Sequence, residues 1–324
     1  MMHKQFNRKR LRIKSLFERK SDLNISIIKD CVVPASIAKF KALKAMAQKV
    51  CEAKQRHAAV ILMMGGHVIR SGVQKYIIDL MEKGYISCVA MNGAGMIHDY
   101  EFALAGVTTE SVARYIKEGQ FGLWRQTGRI NDYINKGYRR GLGMGEAIGK
   151  AIAEGCFPYK KNSLLAVAYQ LKIPITIHIG VGYDIIHEFP NCDGAATGAT
   201  SYKDFLYFAN VISHLEGGVL MNFGSAVMAP EVFLKALSMA RNVAHQSGKT
   251  IRHFTVLVCD LHKLPKQLKR EPNKEIPDYY FRPWKTMLVR TVAEGGKSYY
   301  VRGPHAETLP SLWSEIRRIG DRIR

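Results

Sequence analysis

Ala58-Ala59-Val60-Ile61-Leu62-Met63-Met64 is an uninterrupted apolar run that ends at Gly65-Gly66-His67. Seven residues are too few for a helix of their own, and no polar residue alternates with the apolar ones. The run therefore predicts a strand buried on both faces, with a glycine turn at its carboxyl end. Ahead of it, Ile37, Phe40, Leu43, Ala47, Val50 and Cys51 recur at helical spacing after Pro34, with Lys39, Lys41, Lys44, Lys49 and Lys54 mostly between them. That pattern predicts an amphipathic helix with a basic outer face.

The alternation continues along the chain. Helical spacing covers 69–83, 163–171, 202–215, 231–245 and 308–319, and short apolar runs at 86–91, 173–179, 219–222 and 254–259 predict further strands. Strands alternating with helices of this length require right-handed crossovers, so the expected fold is α/β, a doubly wound, mostly parallel, Rossmann-like sheet with helices on both faces. One stretch reads differently: 286–292 and 297–301, separated by Ala293-Glu294-Gly295-Gly296, predict an antiparallel hairpin. The proline-containing, charged segment 262–282 reads as a long loop of the kind that serves as a lid or a binding segment.

Composition supports a folded domain. The chain has 324 residues, 47% hydrophobic and 23% charged, which excludes disorder, collagen-like repeats and a small stapled scaffold. Its net charge of +21 asks for a negatively charged partner or managed basic surface. Lys4, Arg8, Lys9, Arg10, Arg12, Lys14, Arg19 and Lys20 stand against only Glu18 and Asp22 near the start. Residues 1–31 therefore read as a basic, solvated and partly ordered arm, and 32–324 as a single α/β domain. An arm of this kind leaves contact with RNA open, although no nucleic-acid motif accompanies it. No apolar run approaches a membrane span, and Cys31, Cys51, Cys88, Cys156, Cys192 and Cys259 form no C-x-x-C pair, so the expected location is the cytoplasm.

Chemistry is expected where the predicted strands end. Gly65-Gly66-His67, Asn92-Gly93-Ala94-Gly95, His178-Ile179-Gly180-Val181-Gly182, Asn222-Phe223-Gly224-Ser225 and Cys259-Asp260 all sit at carboxyl ends, and in an open parallel sheet such ends form the ligand crevice. Bare backbone and helix N-termini there suit a nucleotide. Gly141-x-Gly143-x-Gly145 follows polar residues rather than a strand, and Gly248-Lys249-Thr250 lacks the leading glycine of a phosphate loop, so neither is retained. His178, Asp184 and His187 are metal-ligand types at no recognised spacing, and no metal is assigned. His67 and Asp99 lie nearest the glycine clusters and are the better candidates.

These residues also carry a resemblance. Met64-Gly65-Gly66-His67-Val68-Ile69-Arg70-Ser71-Gly72, Asn92-Gly93-Ala94-Gly95-Met96-Ile97-His98-Asp99, Ile173-Pro174 with the following Asp184, Asn222-Phe223-Gly224-Ser225-Ala226-Val227 and Trp284-Lys285 resemble the deoxyhypusine synthase family in order and spacing. The resemblance spans roughly residues 32–319. It implies an NAD-dependent enzyme, usually a homotetramer, that takes hydride from an alkyl amine, captures the aminobutyl group as a lysine imine and passes it to a second amine. Carried over by position, Gly65, Gly66, Asn92, Gly93, Ala94, Gly224, Ser225 and Asp260 would contact NAD. Lys285 would form the imine, with His67 and Asp99 as further catalytic groups. Asp184, Glu231, Trp284 and His98 would face the substrate. Two other readings stay open: acid–base chemistry by His67, His98 and Asp99 on an anionic, phosphorylated substrate, and a basic RNA-binding or scaffold protein.

Overall fold

All five apolar runs become strands of one parallel sheet in the computed structural model, which describes residues 3–34, 40–265 and 267–323. In chain order the strands are β1 (Ser21–Asn24), β2 (Val60–Met64), β3 (Cys88–Asn92), β4 (Val107–Glu110), β5 (Ile175–His178), β6 (Val219–Phe223), β7 (Thr255–Asp260) and β8 (Lys297–Arg302). The helices are α1 (Lys41–Gln55), α2 (Gly66–Arg70), α3 (Gln74–Glu82), α4 (Gly93–Ala105), α5 (Val112–Lys117), α6 (Arg125–Gly128), α7 (Ile130–Arg139), α8 (Met144–Glu154), α9 (Leu164–Gln170), α10 (Gly194–Ile212), α11 (Met228–Gln246) and α12 (His305–Ile323). The start of the predicted first helix, with Ile37 and Lys39, lies outside the described residues.

The main sheet runs β5-β3-β2-β6-β7-β8 with every neighbouring pair parallel. Counted among themselves these strands follow the order 3-2-1-4-5-6 of the doubly wound dinucleotide-binding sheet, and the order reverses between β2 and β6. The apolar run explains why. Val60, Leu62 and Met64 of β2 pack into a cluster with Leu43, Met46 and Val50 of α1 and Leu312 and Ile316 of α12. Ile61 and Met63 point the other way, against Phe208 and Ile212 of α10 and Phe233 and Leu237 of α11. Each such side chain contributes about 1.5–3 kcal/mol of burial, which only a sheet covered on both faces can collect.

Several boundaries depart from the sequence reading for local reasons. The helix expected over 69–83 is two helices, α2 and α3, because Gly72 takes φ +71° between them. The long helix α10 begins earlier than its apolar spacing, since Asp193 caps it by accepting from the Ala195 and Ala196 amides.

The expected hairpin is absent. Pro283–Val289 is a π-helical segment continued by a 3-10 turn at Arg290–Val292, and β8 pairs with β7 in parallel. Trp284, Met287 and Leu288 recur at helical spacing and are buried beside α11 and the sheet, so their burial favours a helical crossover over a strand. That crossover is what a parallel β8 needs, and it brings the end of β8 to the same rim as the other strand ends.

Part of the basic arm is built into the fold. Strand β1 pairs antiparallel with β4, Arg8 donates to the Phe189 and Cys192 carbonyls, and Arg19 forms a bidentate pair with Glu101 at 2.9 Å on both arms. Both side chains of this pair are buried, and Glu101 also accepts from the Thr108 and Thr127 hydroxyls. Arg19 holds the Glu101 carboxyl below its ordinary range against the opposing effect of burial. Replacing Arg19 by Met strands that carboxylate without its counter-charge. We expect a loss of about 3–5 kcal/mol in urea unfolding, largely recovered when Glu101→Met is added. A loss under about 1 kcal/mol for Arg19→Met alone would contradict the buried pair.

Candidate functional site

The order reversal between β2 and β6 opens the sheet at its carboxyl rim, and a cavity of about 460 Å³ lies there. Its floor takes in Asn92-Gly93-Ala94, His178, Gly180 and Gly224-Ser225, and its wall includes Asp184 and the first turn of α11. Each turn is held by its own sequence. Asn92 caps α4 by accepting from the Gly95 amide at 3.0 Å. Asn222 both donates to the Ser225 carbonyl and accepts from the Ser225 amide, while Ser225 Oγ accepts from the Ala229 amide at the start of α11. Gly224 has φ +62° and lies directly against the His305 ring, so a side chain there would be both strained and obstructed.

Asp184 is the central charged group. Its carboxylate rests on Gly93 so closely that a Cβ at that position would collide with both carboxylate oxygens. Burial pushes its carboxyl up to about 6. The group thus sits at the positive N-terminal end of α4, which is the place a ligand anion would otherwise take. His178 on the floor is a neutral imidazole bonded to the Thr176 hydroxyl at 2.9 Å, with burial pushing its pKa down to about 3. His187 is a turn residue whose Nδ1 accepts from the Gly182 and Asp184 amides. Among the described residues no group of three or more His, Cys, Asp or Glu is placed to hold a metal ion.

Next to this cavity a second chamber of about 250 Å³ shares Ala94, Tyr183 and Asp184 with the first and reaches Arg19, Arg70 and Thr109. One face of α4, formed by Ala94, Ile97, His98 and Glu101, lines it. Burial pushes His98 down to about 4, and its Nδ1 bonds the Thr108 hydroxyl at 2.8 Å. Glu110 accepts from Trp124 Nε1 and the Gly122 amide. Nearby Glu188 is pushed up to about 7, first by burial and then by Glu110. A separate cleft of about 340 Å³ opens at the other end of the sheet, beside Pro174 at the start of β5, away from the rim where strand ends and helix N-termini converge.

The structure brings Asn92, Gly93, Ala94, Asp184, Gly224 and Ser225 to the outer cavity and His98 to the second one. Other expected residues lie elsewhere. Gly65 packs under the Gly224 carbonyl, where a Cβ would stand 2.6 Å from the oxygen, and Gly66 packs under Ala94 and His98. His67 is exposed on α2 beside Arg70, and Asp260 closes the turn after β7 by accepting from the Leu261 and His262 amides.

Asp99 is only 1% exposed and accepts from Ser163 Oγ and the Leu164 and Leu165 amides, so it caps α9. One helical residue beyond His98 turns its side chain by about 100°, away from the chamber. Glu231 pairs with Lys235 and Arg282 on the outer side of α11. Trp284 is buried in the core. Lys285 does not line either cavity: its Nζ lies 3.6 Å from the Tyr279 ring centroid.

Sequence reasoning missed Arg70, Thr109 and His305. His305 follows Gly303-Pro304 at the end of β8, a strand-end glycine that the hairpin reading hid. Its ring faces Gly224, and Nδ1 is buried without a partner.

No family model and no curated protein matches the chain. Solved structures do. A conserved LOR/SDH protein from Methanococcus maripaludis S2 superposes with a TM-score of 0.51 and 14% identity over 92% of this chain and 73% of that one. The ternary complex of AgrE with ornithine and NAD+ gives 0.50 and 12% over 87% of this chain, which spans about a third (33%) of the AgrE chain. A chain described as a deoxyhypusine synthase from Entamoeba histolytica gives 0.46 and 8% over 86% of this chain and 88% of that one, too slight a likeness to carry an argument. Together the first two establish the fold, an α/β Rossmann-like sheet, and nothing finer.

The contact between Gly93 and Asp184 is directly testable. Gly93→Ala should displace the carboxylate from α4 and abolish small-molecule binding in the outer cavity, while far-UV circular dichroism stays unchanged. Unaltered binding in this variant would show that the Asp184 position is unimportant.

Proposed function

We propose that this chain is an NAD-dependent enzyme acting on a small primary amine, a distant relative of the deoxyhypusine synthase group. The observation that carries the reading is a half-buried, ionisable carboxylate, Asp184, packed on the Gly93 turn and lining a cavity at the order reversal of a 3-2-1-4-5-6 sheet. The outer cavity suits the nucleotide because the N-terminus of the long helix α11 opens beside it. Gly224, Ser225 and the first turn of α11 would hold the cofactor, and Asp184 would hold the ammonium group. AgrE, a third of which superposes on this chain, was crystallised with ornithine and NAD+, which supports looking for an amine together with this cofactor.

NAD supplies a hydride acceptor when bound. The overall change is R–CH2–NH3+ + NAD+ giving R–CH=NH2+ + NADH + H+, in which a C–H bond breaks and a C=N bond forms. The chain's part is to orient the amine through Asp184 and to keep the reacting carbon away from water inside the cavity. The iminium is then open to attack by a second amine. No residue is assigned to a covalent lysine step, since Lys285 stands over Tyr279 outside the cavity. The reading includes self-association and a reducing location. Val181 (75% exposed), Tyr183 (87%) and Val227 (58%) form an apolar rim that a second copy would cover, and all six cysteines are free. No helix among the described residues is long and apolar enough to cross a membrane.

Titration calorimetry tests this directly. Wild type should take up NAD+, and Asp184→Asn should weaken amine binding by about tenfold or more while leaving NAD+ affinity within about threefold. No uptake of NAD+ at millimolar concentration would overturn the reading. Because the proton on Asp184 competes with the ammonium group, amine affinity should hold above its pKa of about 6. It should fall about tenfold per pH unit below that point, and an affinity flat from pH 7 to 4.5 would contradict the assignment.

A further inference from the structure

We propose that the second chamber is a carboxylate subsite and that the substrate is an amino acid, with Arg70 and Thr109 taking its carboxylate while Asp184 holds its amine. The inference rests on the reading of the outer cavity above and names the substrate class for it.

Pairing off the charges around the chamber leaves a simple remainder. Arg19 is spent on Glu101, Glu110 has both oxygens occupied by N–H donors, and His98 is a neutral imidazole. Among the described residues Arg70 forms no ion pair with a carboxylate, its one side-chain neighbour within hydrogen-bond distance is His67 Nε2 at 3.3 Å, and its own Nε is buried without a partner. A guanidinium cannot shed its proton to escape desolvation, so an unpaired one at the edge of a cavity gains from an anion that enters.

Thr109 points to the same place. Its hydroxyl is buried without a partner, and its φ of +67° puts a β-branched residue in the left-handed region in the middle of a strand. Such a conformation costs of the order of 1–3 kcal/mol and is kept where the surroundings impose it. Here β4 is held on one side by its ladder with β1 and on the other by the Glu101 and Glu110 contacts of its neighbours Thr108 and Glu110.

Among the described residues the charges lining this space without an ion-pair partner are then the Arg70 cation and the Asp184 carboxylate, which beyond that only caps the turn at His187, and with the free Thr109 hydroxyl they are the complement of a zwitterion. A dianionic phosphate fits less well, because Asp184, Glu110 and nearby Glu188 are already held above their ordinary carboxyl range. A single carboxylate that arrives with its own ammonium group adds no net charge.

The test is calorimetry on the full chain with saturating NAD+, comparing ornithine with 1,4-diaminobutane, the same skeleton without the carboxylate. Wild type should bind ornithine about tenfold or more tighter than the diamine. Arg70→Gln should bring the two within about threefold by loss of ornithine affinity, with NAD+ affinity unchanged. Thr109→Val, which removes the hydroxyl but keeps the shape, should weaken ornithine and spare the diamine, and it serves if Arg70→Gln does not fold. Equal binding of the two probes by wild type, or an ornithine preference that survives both substitutions, would overturn the proposal. So would inorganic phosphate displacing ornithine at concentrations where acetate does not. If NAD+ binds and no preference exists, the subsite is wrong and the amine reading stands. If NAD+ does not bind yet ornithine does in an Arg70-dependent way, the subsite stands and the cofactor assignment falls.

Discussion

Burial of β2 on both faces is the constraint from which the rest follows. Its five residues are apolar and none reaches solvent, so both faces of the sheet must be covered. Covering two faces with helices from one chain forces right-handed crossovers in both directions and therefore a reversal of strand order at β2 and β6. At that reversal the helices diverge, and the sheet's carboxyl rim cannot be closed by its own crossovers. The cavity is thus a consequence of how the core is built.

What occupies that opening is set by a second constraint, the cost of desolvating charge. Most ionisable groups at the rim have been neutralised or paired: Arg19 with Glu101, Asp99 with the start of α9, and His98 and His178 as neutral imidazoles. Asp184 stands apart because the shift in its pKa has burial as its cause and no cation opposes it. It lines both chambers, the outer one beside the N-terminus of α11 and a second one whose guanidinium, Arg70, has no carboxylate partner among the described residues. A binding site arranged this way gains affinity from the ligand's own charges, since it carries little stabilisation of its own there.

The fold was legible because its evidence is local. Apolar runs of strand length followed by glycine turns recur along the chain, and each became a strand end on one rim. The hairpin reading failed because helical spacing at Trp284, Met287 and Leu288 is hard to tell from a short strand, and with it went the chance of seeing His305 at the rim. Asp99 and His98 are neighbours in sequence, yet a helix turns them onto different surfaces, so proximity to a glycine cluster misassigned the first. The pair of Arg19 and Glu101 joins residues 82 positions apart, and nothing in a basic arm marks which arginine is buried. Thr109 left no trace at all, since a threonine in a strand is ordinary and only its backbone angle is not.

Everything functional in this account depends on Asp184 being a desolvated carboxylate that waits for a cation. The most direct measurement is a pH titration of its carboxyl carbon by nuclear magnetic resonance, with and without a saturating small amine. The account predicts a midpoint near 6 in the free protein and a marked fall when the amine is present. A midpoint in the ordinary aspartate range near 4, unmoved by the amine, would contradict it.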